Sequence, residues 1–244
     1  MLRRKSVLLT AGIVLLLLGA AGTSLALLLW RVPRFYQDRD LPPGPQRQEQ
    51  AKVFVREFIH FVEGIKNYEP TWQASFTEGQ INSFFKEQFL QWGLASKHLP
   101  EGISDPCVVL EKDSIRVAFR YGKAPWATVI SLDMGVWLAP HEVNVIALEL
   151  RGLHAGALPI SPQSLLEQIS EVARSANNID VTWYRHNGNP VALLRFQSDG
   201  PQPTVQLQSL QVSEGRLTLS GGSLDKTPRV GGTCPTSSFP LQAN

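Results

Sequence analysis

The feature that most constrains this chain is an uncharged apolar run near its amino terminus. Residues Val7 to Trp30 read VLLTAGIVLLLLGAAGTSLALLLW and contain no charged side chain. As a helix rising 1.5 Å per residue, the run is about 36 Å long, enough to cross a hydrocarbon core of roughly 30 Å with some tilt. The sequence therefore predicts a transmembrane helix at 7–30 that follows a short stub at 1–6.

A cleavable signal peptide is the competing interpretation of this run. Ser24 and Ala26 have the small side chains that a signal peptidase requires. However, the run is longer than the roughly 7 to 15 apolar residues of a secretory signal, and cleavage there would leave LLLW at the new terminus. We therefore expect an uncleaved signal-anchor. No Cys directly follows the run, which disfavours a lipidated amino terminus.

The charges that flank the run predict its orientation. Three basic residues crowd positions 3–5, whereas the arginines that follow Trp30 are more widely spaced. Because basic residues in short flanks stay on the cytoplasmic side, we expect a cytoplasmic amino terminus. The body is then extracytoplasmic, on the periplasmic or cell-surface side. Trp30 and Tyr36 are typical of aromatic anchors at the outer membrane interface.

The rest of the chain is long enough for one globular domain. Residues 31–47 contain DRDLPPGPQ, in which three prolines and a glycine favour an extended spacer, so we interpret this segment as a linker. The domain is expected at 48–221. Residues 222–244 are rich in Gly, Pro, Ser and Thr, which predicts a disordered tail.

Two amphipathic helices are predicted at the start of the domain. The first lies in QEQAKVFVREFIHFVEGIK, where apolar residues recur at helical spacing. The second begins in FTEGQINSFF, where Thr77 can cap the helix, Gln80 can complete a capping box and Phe76 can pack on Ile81. Its apolar positions form one stripe that something apolar must cover: Ile81, Phe84, Phe85 and Phe89.

From Cys107 onward the apolar period changes from 3.6 to 2, which predicts strands. We expect an antiparallel meander of three strands: IRVAFRY, the long run from Trp126 to Leu138, and VNVIALEL. A helix at 161–177 then interrupts the strands, and IDVTWYRH, PVALLRFQ, TVQLQSLQV and RLTLSG complete them. We expect an α+β domain in which a strongly curved, mostly antiparallel sheet wraps on two or three helices.

Several of these motifs support a family resemblance. The TEGQIN helix start, the ALPIS segment that leads into LLEQI, and EGRLTLSG near the end resemble the single-span YpmS-like proteins of bacteria. The same order is similar to YceB-like lipoproteins, although this chain lacks their lipidation Cys. The resemblance covers roughly residues 50–220. It implies a tubular lipid-binding (TULIP-like) fold in the bacterial envelope, with an apolar channel for acyl chains.

The resemblance implies a non-catalytic module that binds a lipid or another hydrophobic ligand. The alternative is an envelope scaffold in which the same apolar faces fill a solid core and an exposed face contacts a protein partner. If a channel exists, we expect the following residues to line it: Ile81, Phe84, Phe85, Phe89, Trp126, Ile130, Leu165 and Ile169.

The sequence contains no strong catalytic motif. G-x-S-x-G, H-E-x-x-H, a Gly-rich phosphate loop and C-x-x-C are all absent from it. Ser161, His154 and Glu149 could supply a nucleophile, a base and an orienting group, but a serine before Pro162 is more simply a helix cap. We expect no enzyme activity, no cofactor and no metal. The net charge of +2, without a basic run beyond the first residues, disfavours nucleic-acid binding.

The two cysteines leave two alternatives open. In an oxidising compartment, Cys107 and Cys234 can form a disulfide that ties the tail to the sheet. Two reduced, buried thiols satisfy the sequence equally well, because sequence alone does not give the distance between them.

Overall fold

The computed structural model of the chain describes residues 2–38, 41–89, 102–163, 166–167, 179–196 and 204–224. The helices and strands follow one another in this order: α1 (Leu2–Trp30), α2 (Arg34–Gln37), α3 (Pro45–Lys66), β1 (Trp72–Thr77), α4 (Glu78–Glu87), β2 (Ile103–Glu111), β3 (Ser114–Tyr121), β4 (Thr128–Leu138), β5 (Val145–Ala155), β6 (Leu158–Pro159), β7 (Ile179–His186), β8 (Asn189–Phe196), β9 (Val205–Ser213) and β10 (Arg216–Ser223).

Helix α1 is long and apolar, as the sequence predicts. Within the described residues, one helical stretch, Leu15–Gln37, is long and apolar enough to cross a membrane, with a mean hydropathy of 1.8. Leu16 exposes 72% of its surface, so the body of the protein does not cover this part of the helix. An apolar helix near the amino terminus is compatible with a membrane anchor or with a signal sequence.

The strands form two antiparallel sheets. The large sheet has the order β2-β3-β4-β5-β8-β7, and β6 pairs with the end of β5. The small sheet has the order β1-β10-β9. The α+β class and the mostly antiparallel pairing are therefore confirmed. Strand β1 was not predicted. It pairs with β10, which pairs with β9, so β1 and the last two strands form a sheet separate from the large one.

Two hydrophobic clusters lie on one face of the large sheet. The alternation along β3 places Ile115, Val117 and Phe119 on this face. Ile115 and Val117 pack on the first cluster, which joins the large sheet to the small sheet, α3 and α4. Phe119 packs on the second cluster, formed by Leu132, Leu150 and Leu153 with Ile130, Met134 and Leu166.

The start of α4 matches the sequence prediction. The Thr77 hydroxyl accepts a hydrogen bond from the Gln80 amide at 3.3 Å, and Gln80 Oε1 accepts one from the Thr77 amide at 2.7 Å. The predicted capping box is therefore confirmed. Phe76 and Ile81 belong to the same cluster, as a hydrophobic staple requires.

Polar side chains of α4 bind the outer edge of β2. Asn82 Nδ2 donates to the Val108 carbonyl and Oδ1 accepts from the Val108 amide, both at 2.8 Å. Glu78 Oε2 accepts from the Leu110 amide at 2.9 Å. Glu78 and Asn82 are four residues apart on the helix, a rise of about 6 Å, and Val108 and Leu110 are two residues apart on the strand, about 6.6 Å. The side chains on α4 and the backbone groups that they bind on β2 therefore have the same spacing. Helix α4 thus takes the place of a further strand beside β2.

The segment after α1 differs from the extended spacer that the sequence predicts. Residues 34–37 form α2, and the Tyr36 hydroxyl donates to the Asp105 carbonyl at 2.7 Å. The Arg116 guanidinium lies 5.0 Å from the centre of the Phe35 ring. Two aromatic side chains therefore attach this segment to the large sheet, and Tyr36 contacts the body instead of pointing away from it.

The carboxyl end of α1 is also bound to the body. The Ala157 amide donates to the Leu28 carbonyl at 2.9 Å, and the Thr128 hydroxyl donates to the Leu29 carbonyl at 2.6 Å. The last carbonyls of a helix have no partner within the helix, so these bonds satisfy them. Gly156 has a φ of 60°, and a Cβ there would collide with both carbonyls. We refer to these contacts as the junction.

The first helix and the last strand of the domain extend past the predicted domain boundaries. Helix α3 begins at Pro45, inside the predicted linker, and β10 continues to Ser223, inside the predicted tail. Most of the predicted helix at 161–177 lies outside the described residues, and so do residues 225–244.

Candidate ligand-binding groove

A groove exists because β5 changes partner along its length. Its first half, Val145 to Glu149, pairs with β8, whereas His154 and Ala155 pair with β6. Between these two partners the strand borders an opening in the sheet. The opening has a volume of about 960 Å³. This lies at the upper end of the usual range for small-molecule sites, roughly 300–1,000 Å³.

Apolar side chains form part of the floor and walls of the groove. Leu150, Leu153 and Leu166 line it and belong to the second hydrophobic cluster. Ile160 lies on the β6 side and exposes 40% of its surface, and Trp183 lies on the β7 side. An apolar chain in the groove would therefore contact side chains that already pack against the sheet.

Charged side chains lie at the rim. Arg151 and Arg185 line the groove together with one acid, Glu167. The guanidinium of Arg151 is oriented by Glu149, whose Oε2 accepts from Arg151 Nε at 2.9 Å. The rim therefore carries two guanidinium groups, which can bind phosphate or carboxylate oxygens, although Arg151 already pairs with the Glu149 carboxylate.

Glu149 is buried below this rim and is held as a carboxylate. Its Oε1 accepts from Asn189 Nδ2 at 3.0 Å. The hydrogen bond from Asn189, followed by that from Arg151, holds the pKa of Glu149 below its usual value. This carboxylate links β5 to the β7–β8 hairpin and thereby fixes one wall of the groove.

The groove lies beside the end of α1. His154 lines the groove and pairs with Pro159, and the turn between them contains Gly156 and Ala157 of the junction. Two to three residues of extended chain span about 10 Å. One mouth of the groove is therefore within about 10 Å of the carbonyl end of the apolar helix.

No family model, curated protein or solved structure matches this chain. The resemblance to YpmS-like and YceB-like proteins therefore stays a prediction.

The structure places the predicted α4 stripe in the core. Ile81 and Phe84 are 9% and 5% exposed, and the Phe84 ring lies 4.8 Å from the Phe54 ring. Phe85 and Phe89 are partly buried, with ring centres 5.3 Å apart. Ile81 and Phe85 pack with the first cluster, and Phe89 packs on Phe84 and Phe85. None of the four residues lines the groove.

The other predicted site residues have separate positions. Trp126 precedes β4 and is 73% exposed, so the prediction that it points inward from a strand is wrong. Ile130 packs on the second cluster, next to the groove floor. Leu165 and Ile169 lie outside the described residues, although their neighbour Leu166 lines the groove.

The structure leaves the cysteine prediction open and separates the three residues of the catalytic hypothesis. Cys107 is buried on β2, and Cys234 lies outside the described residues. Ser161 and His154 both line the groove. Glu149 lies five residues before His154 on one strand, which is about 16 Å, and its carboxylate binds Arg151 and Asn189.

Sequence reasoning missed the residues that form the far wall and rim. Arg185 and Asn189 were visible as polar residues around a predicted turn. Nothing in the local pattern indicated that this hairpin would lie beside the part of β5 that pairs with β4 but not with β8. That placement depends on strand order, which a local period does not contain.

Proposed function

We propose that this protein is a membrane-anchored, non-catalytic module that binds a lipid, or another ligand with an apolar tail, in the groove. The observation that carries the proposal is the position of an apolar floor and an arginine rim within about 10 Å of the end of an apolar helix. In this proposal α1 is an uncleaved anchor. The basic residues at 3–5 remain in the cytoplasm and the body is extracytoplasmic.

Each part of an amphiphile has a suitable contact in the groove. An acyl chain would bury apolar surface on Leu150 and Leu153, worth about 25 cal/mol per Å². A phosphate or carboxylate would meet the guanidinium groups of Arg151 and Arg185, whose planar donors suit such oxygens. A strongly curved, TULIP-like sheet is part of the same proposal, with the second cluster as the channel wall.

Photolabelling tests this proposal. The full chain is reconstituted in nanodiscs that contain a phospholipid with a diazirine near the end of one acyl chain, and labelled peptides are identified by mass spectrometry. We expect label on β5 and on the β7–β8 hairpin in addition to α1. Label confined to α1 would overturn the groove as a lipid site.

A matched pair of variants makes the test specific. Ile160→Glu places a charge in the groove, and Val143→Glu places the same charge at a comparably exposed apolar position that does not line it. Losing about 1–2 kcal/mol of apolar contact corresponds to roughly a 5- to 30-fold loss of affinity. We expect groove labelling to fall by this factor in Ile160→Glu and to persist in Val143→Glu.

The scaffold alternative is favoured by one observation. In the α4 stripe, Phe84 is 5% exposed and its ring packs on Phe54, as it would in a solid core. Groove peptides without label in the native chain would favour the scaffold over the lipid-binding module.

A further inference from the structure

The turn between β3 and β4 carries a large aromatic side chain that the fold leaves exposed. Trp126 is 73% exposed and Tyr121, at the end of β3, is 47% exposed. Lys123 lies between them and is also exposed. This turn is separate from the groove, because none of its residues lines that cavity.

The same turn is held against the end of α1. The Trp126 ring lies 5.6 Å from the Trp30 ring, and Trp30 is the last residue of α1. Thr128, just after the turn, donates to the Leu29 carbonyl at 2.6 Å. The junction therefore fixes Trp126 at the level where the apolar helix ends.

Tryptophan at that level has a well-defined preference. Trp and Tyr side chains collect at the membrane–water interface, because an apolar ring with a polar edge suits the headgroup region. Lysine in the same region extends its ammonium toward phosphate groups while its methylenes stay in the apolar layer. Trp126, Tyr121 and Lys123 supply this combination on a single turn.

We infer that the β3–β4 turn is a second membrane contact, in which Trp126 lies in the interfacial layer of the same bilayer that α1 crosses. The partner is the lipid surface, and it holds the body at two points, the helix and the turn. The inference rests on the placement of α1 in the proposed function but does not require a ligand in the groove.

Fluorescence quenching in vesicles tests this contact. The full chain is reconstituted in phosphatidylethanolamine and phosphatidylglycerol vesicles, with phosphatidylcholine carrying a nitroxide either near the glycerol end or near the methyl end of its acyl chain. The emission of Trp126 is obtained as the difference between the native chain and Trp126→Phe. We expect this emission to be quenched more strongly by the shallow nitroxide than by the deep one.

Trp137→Phe provides the matched control. Trp137 lies near the other end of β4, about 30 Å along the strand from Thr128, and its difference emission should resist both nitroxides. If neither nitroxide quenches the Trp126 emission, the inference is overturned, even if aqueous iodide quenches that emission. Loss of groove photolabelling with Trp126 still quenched would reject the lipid site alone. A chain that does not float with the vesicles would reject both.

Discussion

Replacing Asn82 with Ala tests how α4 is attached to the large sheet. Asn82 is 4% exposed, and its amide makes two hydrogen bonds of 2.8 Å with the backbone of Val108, which is 7% exposed. Alanine removes both bonds and leaves a buried donor and a buried acceptor without them. The helix itself keeps its capping box, because Thr77 and Gln80 are unchanged.

The expected cost follows from these two backbone groups. A buried group that loses its hydrogen bond costs about 1–3 kcal/mol, so two give about 2–6 kcal/mol. Alanine is smaller than asparagine and admits some water, so we expect a loss of about 2–4 kcal/mol. With a urea dependence of about 2 kcal/mol per molar, the unfolding midpoint would fall by roughly 1–2 M.

Urea unfolding of the full chain in detergent, followed by tryptophan fluorescence, measures this change. Glu78→Gln is the matched control, because it keeps an amide oxygen for the Leu110 amide, and we expect it to cost below about 1 kcal/mol. Asn82→Leu fills the space without the hydrogen bonds. If Asn82→Leu recovered native stability, or if Asn82→Ala lost less than about 0.5 kcal/mol, the edge-binding role of α4 would be refuted.

Three further predictions concern the core, the carboxylate and the junction. Phe84→Ala should cost about 3–5 kcal/mol in the same urea assay, and a loss below about 1.5 kcal/mol would contradict a solid core around this ring. Because the folded pKa of Glu149 is lowered, its stabilisation is present above the ordinary Glu pKa of about 4.3 and is lost as pH falls through the folded pKa. Urea midpoints should therefore fall less steeply below about pH 4.3 in Glu149→Gln than in the native chain, and equal slopes would contradict this. Gly156→Ala should release the end of α1 and speed tryptic cleavage at Arg31 and Arg34, whereas Gly215→Ala, also at positive φ but with open space around it, should not. Equal cleavage rates in the two glycine variants would mean that the junction does not hold α1.

Local patterns predicted the elements whose signals lie within a few residues. The capping box at Thr77 and Gln80 needs only residues three apart, and the structure contains both of its bonds. The strands around Asn187 and around Ser213 to Gly215 were likewise predicted from alternation and turn residues. In these cases one chain segment contains both the donors and the acceptors that define the element.

The remaining features depend on residues far apart in the chain. The alternation in Trp72 to Thr77 was visible, but only Phe76 and Thr77 were interpreted, as parts of the helix start. Its partner, β10, begins at Arg216. The attachment of the segment after α1 was missed for the same reason. The prolines at 42–45 indicated a spacer, whereas Phe35 and Tyr36 find their contacts on β2 and β3.

The junction also limits how far the body can move from the end of α1. A fully extended segment at 31–47 would allow the body to lie up to roughly 55 Å from the membrane. Because Leu28 and Leu29 are hydrogen-bonded to Ala157 and Thr128, the body is held next to the end of α1. In the anchored arrangement that we propose, the body turns and tilts with α1 as one piece. Its groove then samples molecules that diffuse in the two dimensions of the nearest leaflet, and a partner fixed on a distant layer would have to come to it.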